Sequence, residues 1–179
     1  MALDRTANPF LGLEHVGVVV PDIRQAETFF EEAFGATVLF RAATPEGPSI
    51  PGEKMHPING LAEGSAMRAV TMLRLGNSAQ VELFEISHPG REDQPRFEDM
   101  GPQHFSVYCS DMEAAAERLE AAGATLLDGP VAGMGPEEGK GNASRFCRTP
   151  WGLLLEFAHM PSAMQYDPEA TQTRWYPSR

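Results

Sequence analysis

Four side chains in this sequence have the types and the placement to hold a metal ion: His15, Glu82, His104 and Glu156. His15 lies early in the strand-like run Leu13-Glu14-His15-Val16-Gly17-Val18, and His104 lies early in Pro102-Gln103-His104-Phe105-Ser106-Val107. Glu82 sits within Gln80-Val81-Glu82-Leu83-Phe84, and Glu156 within Leu154-Leu155-Glu156-Phe157-Ala158. A carboxylate on an otherwise apolar strand is costly unless it is paired or bound to a cation. Two imidazoles with two carboxylates form a mixed nitrogen and oxygen set. Such a set suits a divalent ion (Zn, Ni, Co, Mn or Fe), with positions left over for water or substrate.

What must position these four is an internal repeat. Each histidine is followed seven positions later by an aspartate, Asp22 or Asp111, and then by a helix-like stretch at 23–34 or 112–122. Both stretches stop at a Gly-Ala-Thr triplet, Gly35-Ala36-Thr37 and Gly123-Ala124-Thr125. Asp22 is placed to cap the first helix, and Ser110 with Glu113 gives a capping-box pattern for the second. Ile23, Ala26, Phe29, Phe30 and Ala33 fall at the spacing of one buried helical face, which would leave Glu27, Glu31 and Glu32 in water. Ala115, Leu119 and Ala122 make the matching stripe in the second helix.

Short strands are expected after each triplet, at 37–41 and 125–128. Paired strands follow at 67–75 with 79–86 and at 143–149 with 153–158. The fold class is therefore α+β: two repeated βαβββ modules forming a curved mixed sheet around a metal cleft. The first module spans 10–90 and carries an inserted loop at 42–66, long enough for a lid or pocket wall. A Pro- and Gly-rich linker at 87–101 leads to the second module at 101–159, and a C-terminal tail occupies 160–179. Trp175 and Tyr176 suggest that part of this tail docks. Together the parts make one functional domain. Alternation along a strand puts His15 opposite Val16, Val18 and Val20, and Glu82 opposite Val81 and Leu83. All four ligand candidates then share the concave side.

The stretches 13–40, 67–86, 103–127 and 145–158 resemble the vicinal oxygen chelate superfamily, which includes glyoxalase I, methylmalonyl-CoA epimerase, extradiol dioxygenases and bleomycin- or fosfomycin-resistance proteins. The resemblance implies metal ligands at His15, Glu82, His104 and Glu156. It also implies a bidentate substrate with two neighbouring oxygens, and an enolate stabilised by the metal. By the same resemblance Glu156 is the base, with Glu82 its counterpart. A glyoxalase-type lyase or isomerase is the reading this favours. An Fe(II) extradiol dioxygenase, using His15, His104 and Glu156 with Tyr108 as proton carrier, is the alternative. A non-catalytic drug-binding protein is the third.

Other residues read as structural: Glu85 on the opposite face from Glu82, His56 in the insertion, His88 at a turn, and His159 beyond the last strand. Arg41, Arg68, Arg74 and Arg148 read as surface cations. Gly133, Gly135, Gly139 and Gly141 sit in no phosphate-binding motif. A net charge of −11 argues against nucleic acid as a partner. The longest apolar run is too short for a membrane span, and residues 1–5 lack a signal-peptide pattern. Cys109 and Cys147 read as buried free thiols. The expectation is a cytoplasmic protein with a small-molecule substrate, and the resemblance implies a homodimer.

Overall fold

A computed structural model describes residues 12–89, 97–98 and 100–177. The first module runs β1 (His15–Val20), α1 (Ile23–Phe34), β2 (Thr37–Ala43), β3 (Ile50–Pro51), α2 (Gly52–Asn59), β4 (Ala66–Arg74) and β5 (Gln80–Ser87). The second runs β6 (His104–Tyr108), α3 (Met112–Ala121), β7 (Thr125–Leu126), β8 (Val131–Ala132), a 3-10 turn at Gly135–Glu137, β9 (Ala143–Arg148) and β10 (Leu154–His159). Each module builds its own five-stranded mixed sheet, in the orders β1-β5-β4-β2 and β6-β10-β9-β7. The short strands β3 and β8 pair with β4 and β9. The 42–66 insertion thus contains a helix and a short strand where a loop was expected. The linker is described only in part, and the reading of residues 1–5 falls outside the described residues.

The repeat is exact at the level of register. His15 faces Gln80 across the parallel β1–β5 pair, and His104 faces Leu154 across β6–β10. Glu82 and Glu156 each lie two residues beyond that partner. Across the antiparallel pairs Glu82 faces Met72, and Glu156 faces Phe146. A shift by one residue would turn each acid into the helix layer.

Helix α1 starts as its sequence dictates. Asp22 accepts from the Gln25 amide, and the Glu85 carboxylate adds a bond to the Ile23 amide, so Glu85 does have a structural task. In α3 the cap is Asp111, which accepts from the amides of Glu113 and Ala114, and not Ser110. Asp111 sits one residue closer to the first helical turn, within reach of both orphan amides. The two modules pack through these helices. Phe30 stacks on Phe105 at 6.4 Å, and Phe29 meets Trp151 edge-on at 5.3 Å. Phe30, Ile23, Leu83, Leu119, Leu155 and Phe157 belong to one continuous core spanning both modules.

Glu27 departs from its expected place in water, since it is only 8% exposed. Arg41, expected at the surface as a free cation, grips it with Nε and Nη2 at 2.9 and 2.7 Å, and the Thr71 hydroxyl donates at 2.6 Å. Helical periodicity placed Glu27 beside the apolar stripe, but β2 and β4 cross over that flank and supply donors. Burial alone would raise the Glu27 pKa, yet the bonds from Arg41 and Thr71 outweigh it and hold the value below the ordinary carboxylate range. This group therefore stabilises the fold above its unfolded pKa, and the contribution is lost as pH falls through the lowered folded value. Glu27→Gln should cost about 2 kcal/mol near neutrality, because the charge-assisted bonds from Arg41 are weakened. It should also flatten the decline of stability below about pH 4. Denaturant titrations of both proteins across that range would show parallel acid limbs if the argument is wrong.

Candidate metal-binding faces

In both modules the residue before the histidine holds one ring nitrogen. The Glu14 carboxylate meets Nδ1 of His15, and Gln103 Oε1 lies 2.8 Å from Nδ1 of His104. A ring that donates from Nδ1 presents its Nε2 lone pair, the arrangement by which second-shell groups orient metal-binding imidazoles. His15 Nε2 lies 3.3 Å from Glu82 Oε2. Donors bound to one cation at about 2.0–2.1 Å stand roughly 3.0–3.4 Å apart, so this pair has the bite of two ligands on one ion. The Glu14 carboxylate, and then the charges of Glu14 and Glu82, raise the His15 pKa, with burial working the other way.

The first face is kept open by Gly17, which pairs with Glu82. A Cβ there would meet the Phe84 ring at 3.3 Å. Asn59, Leu61 and Ala62 of the insertion border an open groove of about 290 Å³ against Phe84, Met67 and Ile86. On the second face His104 is stacked by Phe97 at 5.9 Å and met edge-on by Phe146 at 5.2 Å. Nothing in its local pattern pointed to Phe97, a linker residue that only the chain's return brings to the histidine. Glu156 faces Ser106 on β6, one row beyond His104.

Tyr108 shares this face, but the tail has claimed it. Tyr176 packs on its ring at 4.7 Å and Trp175 at 6.4 Å, and the Arg174 guanidinium, paired with Glu137, lies nearby. Trp175 and Tyr176 do therefore dock. Burial, more than the opposing influence of Arg174, raises the Tyr108 pKa, which keeps the hydroxyl protonated at neutrality.

Within the chain the quartet stays in two halves. His15 and Glu82 are together, but among the described residues no three histidine, cysteine, aspartate or glutamate side chains group closely enough to hold one ion. Helices α1 and α3 pack on each other, and among the described residues β1 and β6 are end strands of separate sheets that do not pair. The other histidines have local partners: His56 with the Leu61 carbonyl, His88 with the Ser65 hydroxyl, and His159 with the Cys109 carbonyl. Cys147 is buried, and burial pushes its thiol up to about 11, while Cys109 is half-buried.

A family model described as Glyoxalase/Bleomycin resistance protein/Dioxygenase superfamily matches residues 14–140. The chain belongs to this superfamily. It is 30% identical over 175 residues to a 2-epi-5-epi-valiolone epimerase from Actinomyces sp., covering 93% of this chain and 88% of the relative. Among solved structures it is similar to a glyoxalase family protein from Bacillus cereus, with a TM-score of 0.66 and 22% identity over 88% of this chain and 98% of that one. A trypanothione-dependent glyoxalase I from Leishmania major matches with a TM-score of 0.54 and 16% identity, covering 84% and 88%. A fosfomycin resistance protein from Listeria monocytogenes gives 0.54 and 14%, covering 84% and 93%. At these identities the solved structures bear out the vicinal oxygen chelate fold and say nothing further of activity. No helix among the described residues is long and apolar enough to cross a membrane.

Proposed function

We propose that this protein is a metal-dependent epimerase or isomerase whose cation is held by His15 and Glu82 of one copy with His104 and Glu156 of a second. The observation that carries the reading is the duplicated half-site, a histidine fixed through Nδ1 by its preceding residue and a glutamate at the same register beside it. Each half supplies two ligands, fewer than a divalent ion needs. The helices α1 and α3 pack on each other, and among the described residues β1 and β6 each leave one edge unpaired. A two-fold pair of chains sets the first face of each against the second face of the other and completes two sites.

When bound, the cation acts as a Lewis acid on a carbonyl oxygen and its neighbouring oxygen, which lowers the cost of an enolate. The protein's own groups do the proton work. Glu156 removes the proton from the carbon beside the carbonyl, and Glu82, from the other half, returns one on the opposite face. The sequence relationship to an epimerase supports this division of labour. Met72, Phe84 and Phe146 line the faces with apolar surface, where a carboxylate base is least shielded by water.

A mixing experiment tests the assembly. His15→Ala and His104→Ala, each purified alone, should lose metal and turnover. Unfolded together and refolded, they should recover roughly a quarter of wild-type metal content and activity, because half the dimers carry one intact site of two. No recovery would place all four ligands in one chain. Full metal retention by both single variants would remove the metal from the account.

A further inference from the structure

We propose that Glu14 is a positioning residue that makes the first half-site the stronger of the two, so that the His15–Glu82 pair sets the affinity for the cation. This deepens the metal-dependent reading and rests on it. The two half-sites share a register but differ in the groups behind their histidines. Behind His15 stands a carboxylate: Glu14, one residue before β1, meets Nδ1 through its Oε2. That carboxylate is itself anchored from the neighbouring strand. The Gln80 backbone amide donates to the Glu14 carbonyl at 3.0 Å. The Gln80 side chain, turned so that its nitrogen faces Glu14, donates to Oε1 at 2.7 Å. Gln80 is the residue paired with His15 between β1 and β5. Strand register thus places anchor, carboxylate and ring in one chain of bonds.

The second half is built differently. Behind His104 stands the neutral amide of Gln103, whose oxygen lies 2.8 Å from Nδ1 and whose nitrogen donates to the Phe97 carbonyl at 3.4 Å. Leu154 occupies the register position that Gln80 holds in the first module, and its side chain has no polar group to offer. The amide is therefore steadied by the linker and not by the sheet.

Both partners accept from Nδ1 and turn the Nε2 lone pair outward. They differ in charge. A bond to a carboxylate is roughly twice as strong as one to a neutral amide. It draws the Nδ1 proton away from the ring and leaves Nε2 the more basic donor. Geometry agrees with charge, since Nε2 of His15 already stands 3.3 Å from Glu82 Oε2. The Glu14 side chain is 68% exposed, so packing does not depend on it.

Two measurements on the full-length, metal-free protein test this. Nitrogen-15 spectra of the histidine rings at mildly alkaline pH, with His15 assigned through His15→Ala, read the tautomer. Wild type and Glu14→Gln should both keep the His15 proton on Nδ1, since glutamine still accepts there, whereas Glu14→Ala should shift it towards Nε2. Zinc titrations against a chromophoric chelator then separate charge from orientation. Glu14→Gln should bind zinc roughly 10–100-fold more weakly, the range for loss of an outer-shell partner of a metal-bound histidine. Gln103→Ala should lose less than Glu14→Ala. Gln103→Glu, added to Glu14→Gln, should restore part of the loss, which a purely structural role for Glu14 would not allow. Unfolding midpoints of the metal-free variants should stay at the wild-type value. Equal zinc affinity in wild type and Glu14→Gln, or a larger loss in Gln103→Ala than in Glu14→Ala, would overturn the proposal and leave the metal reading standing. A wild-type protein that takes up no zinc would end both.

Discussion

Glu156→Gln is expected to lower turnover by roughly 10²–10⁴-fold, the range a positioned general base contributes. Stability should hardly change. Glu156 is half-buried on an open face, and glutamine fills the same volume while keeping one carbonyl oxygen for a metal. Glu82→Gln separates the candidate chemistries. In an epimerase with two opposed acids it should be nearly as damaging, and exchange of the substrate's proton with solvent should survive the loss of inversion. In an Fe(II) dioxygenase, whose ligands would be His15, His104 and Glu156, the same substitution should be tolerated. Oxygen uptake with a catechol would then persist in the iron-loaded Glu82→Gln protein. Wild-type turnover in Glu156→Gln would end both accounts.

Phe30→Ala should be the most destabilising single change, at about 3–5 kcal/mol. The ring is fully buried and touches Phe29, Phe34, Phe105 and Trp151. Phe105 and Trp151 belong to the second module, so the cavity would open at the seam that joins the halves. Denaturant unfolding of the wild type should follow one transition, since the core is continuous across that seam. In Phe30→Ala the midpoint should drop and the second module should report the loss through Trp151 fluorescence. A cost below about 1 kcal/mol would mean that the modules are held together elsewhere.

The two modules, their helices and the identity of the four ligand-capable residues were legible because they are local and periodic facts. Alternation along β1 and β5 fixes which side chains share a face, and Asp22 and the Phe29-Phe30 stripe fix a helix whatever lies beyond it. Duplication then doubled every such signal. Several readings failed where a distant element intervened. Glu27 was expected in water, yet β2 and β4 bring Arg41 and Thr71 onto it from 14 and 44 residues away. For Tyr108, read as the proton carrier of the dioxygenase alternative, nothing in its local pattern pointed to the tail rings Trp175 and Tyr176 that pack against it.

By itself, then, the order of residues determined two equivalent faces, each carrying one histidine and one glutamate in the same register. Only the tertiary structure decided that these faces stay apart within a chain, because apolar packing of Phe29 and Phe30 against Trp151 and Phe105 joins the modules by their helices. That choice has no local code. It follows from which apolar surfaces bury most completely against each other, a property of the assembled shape.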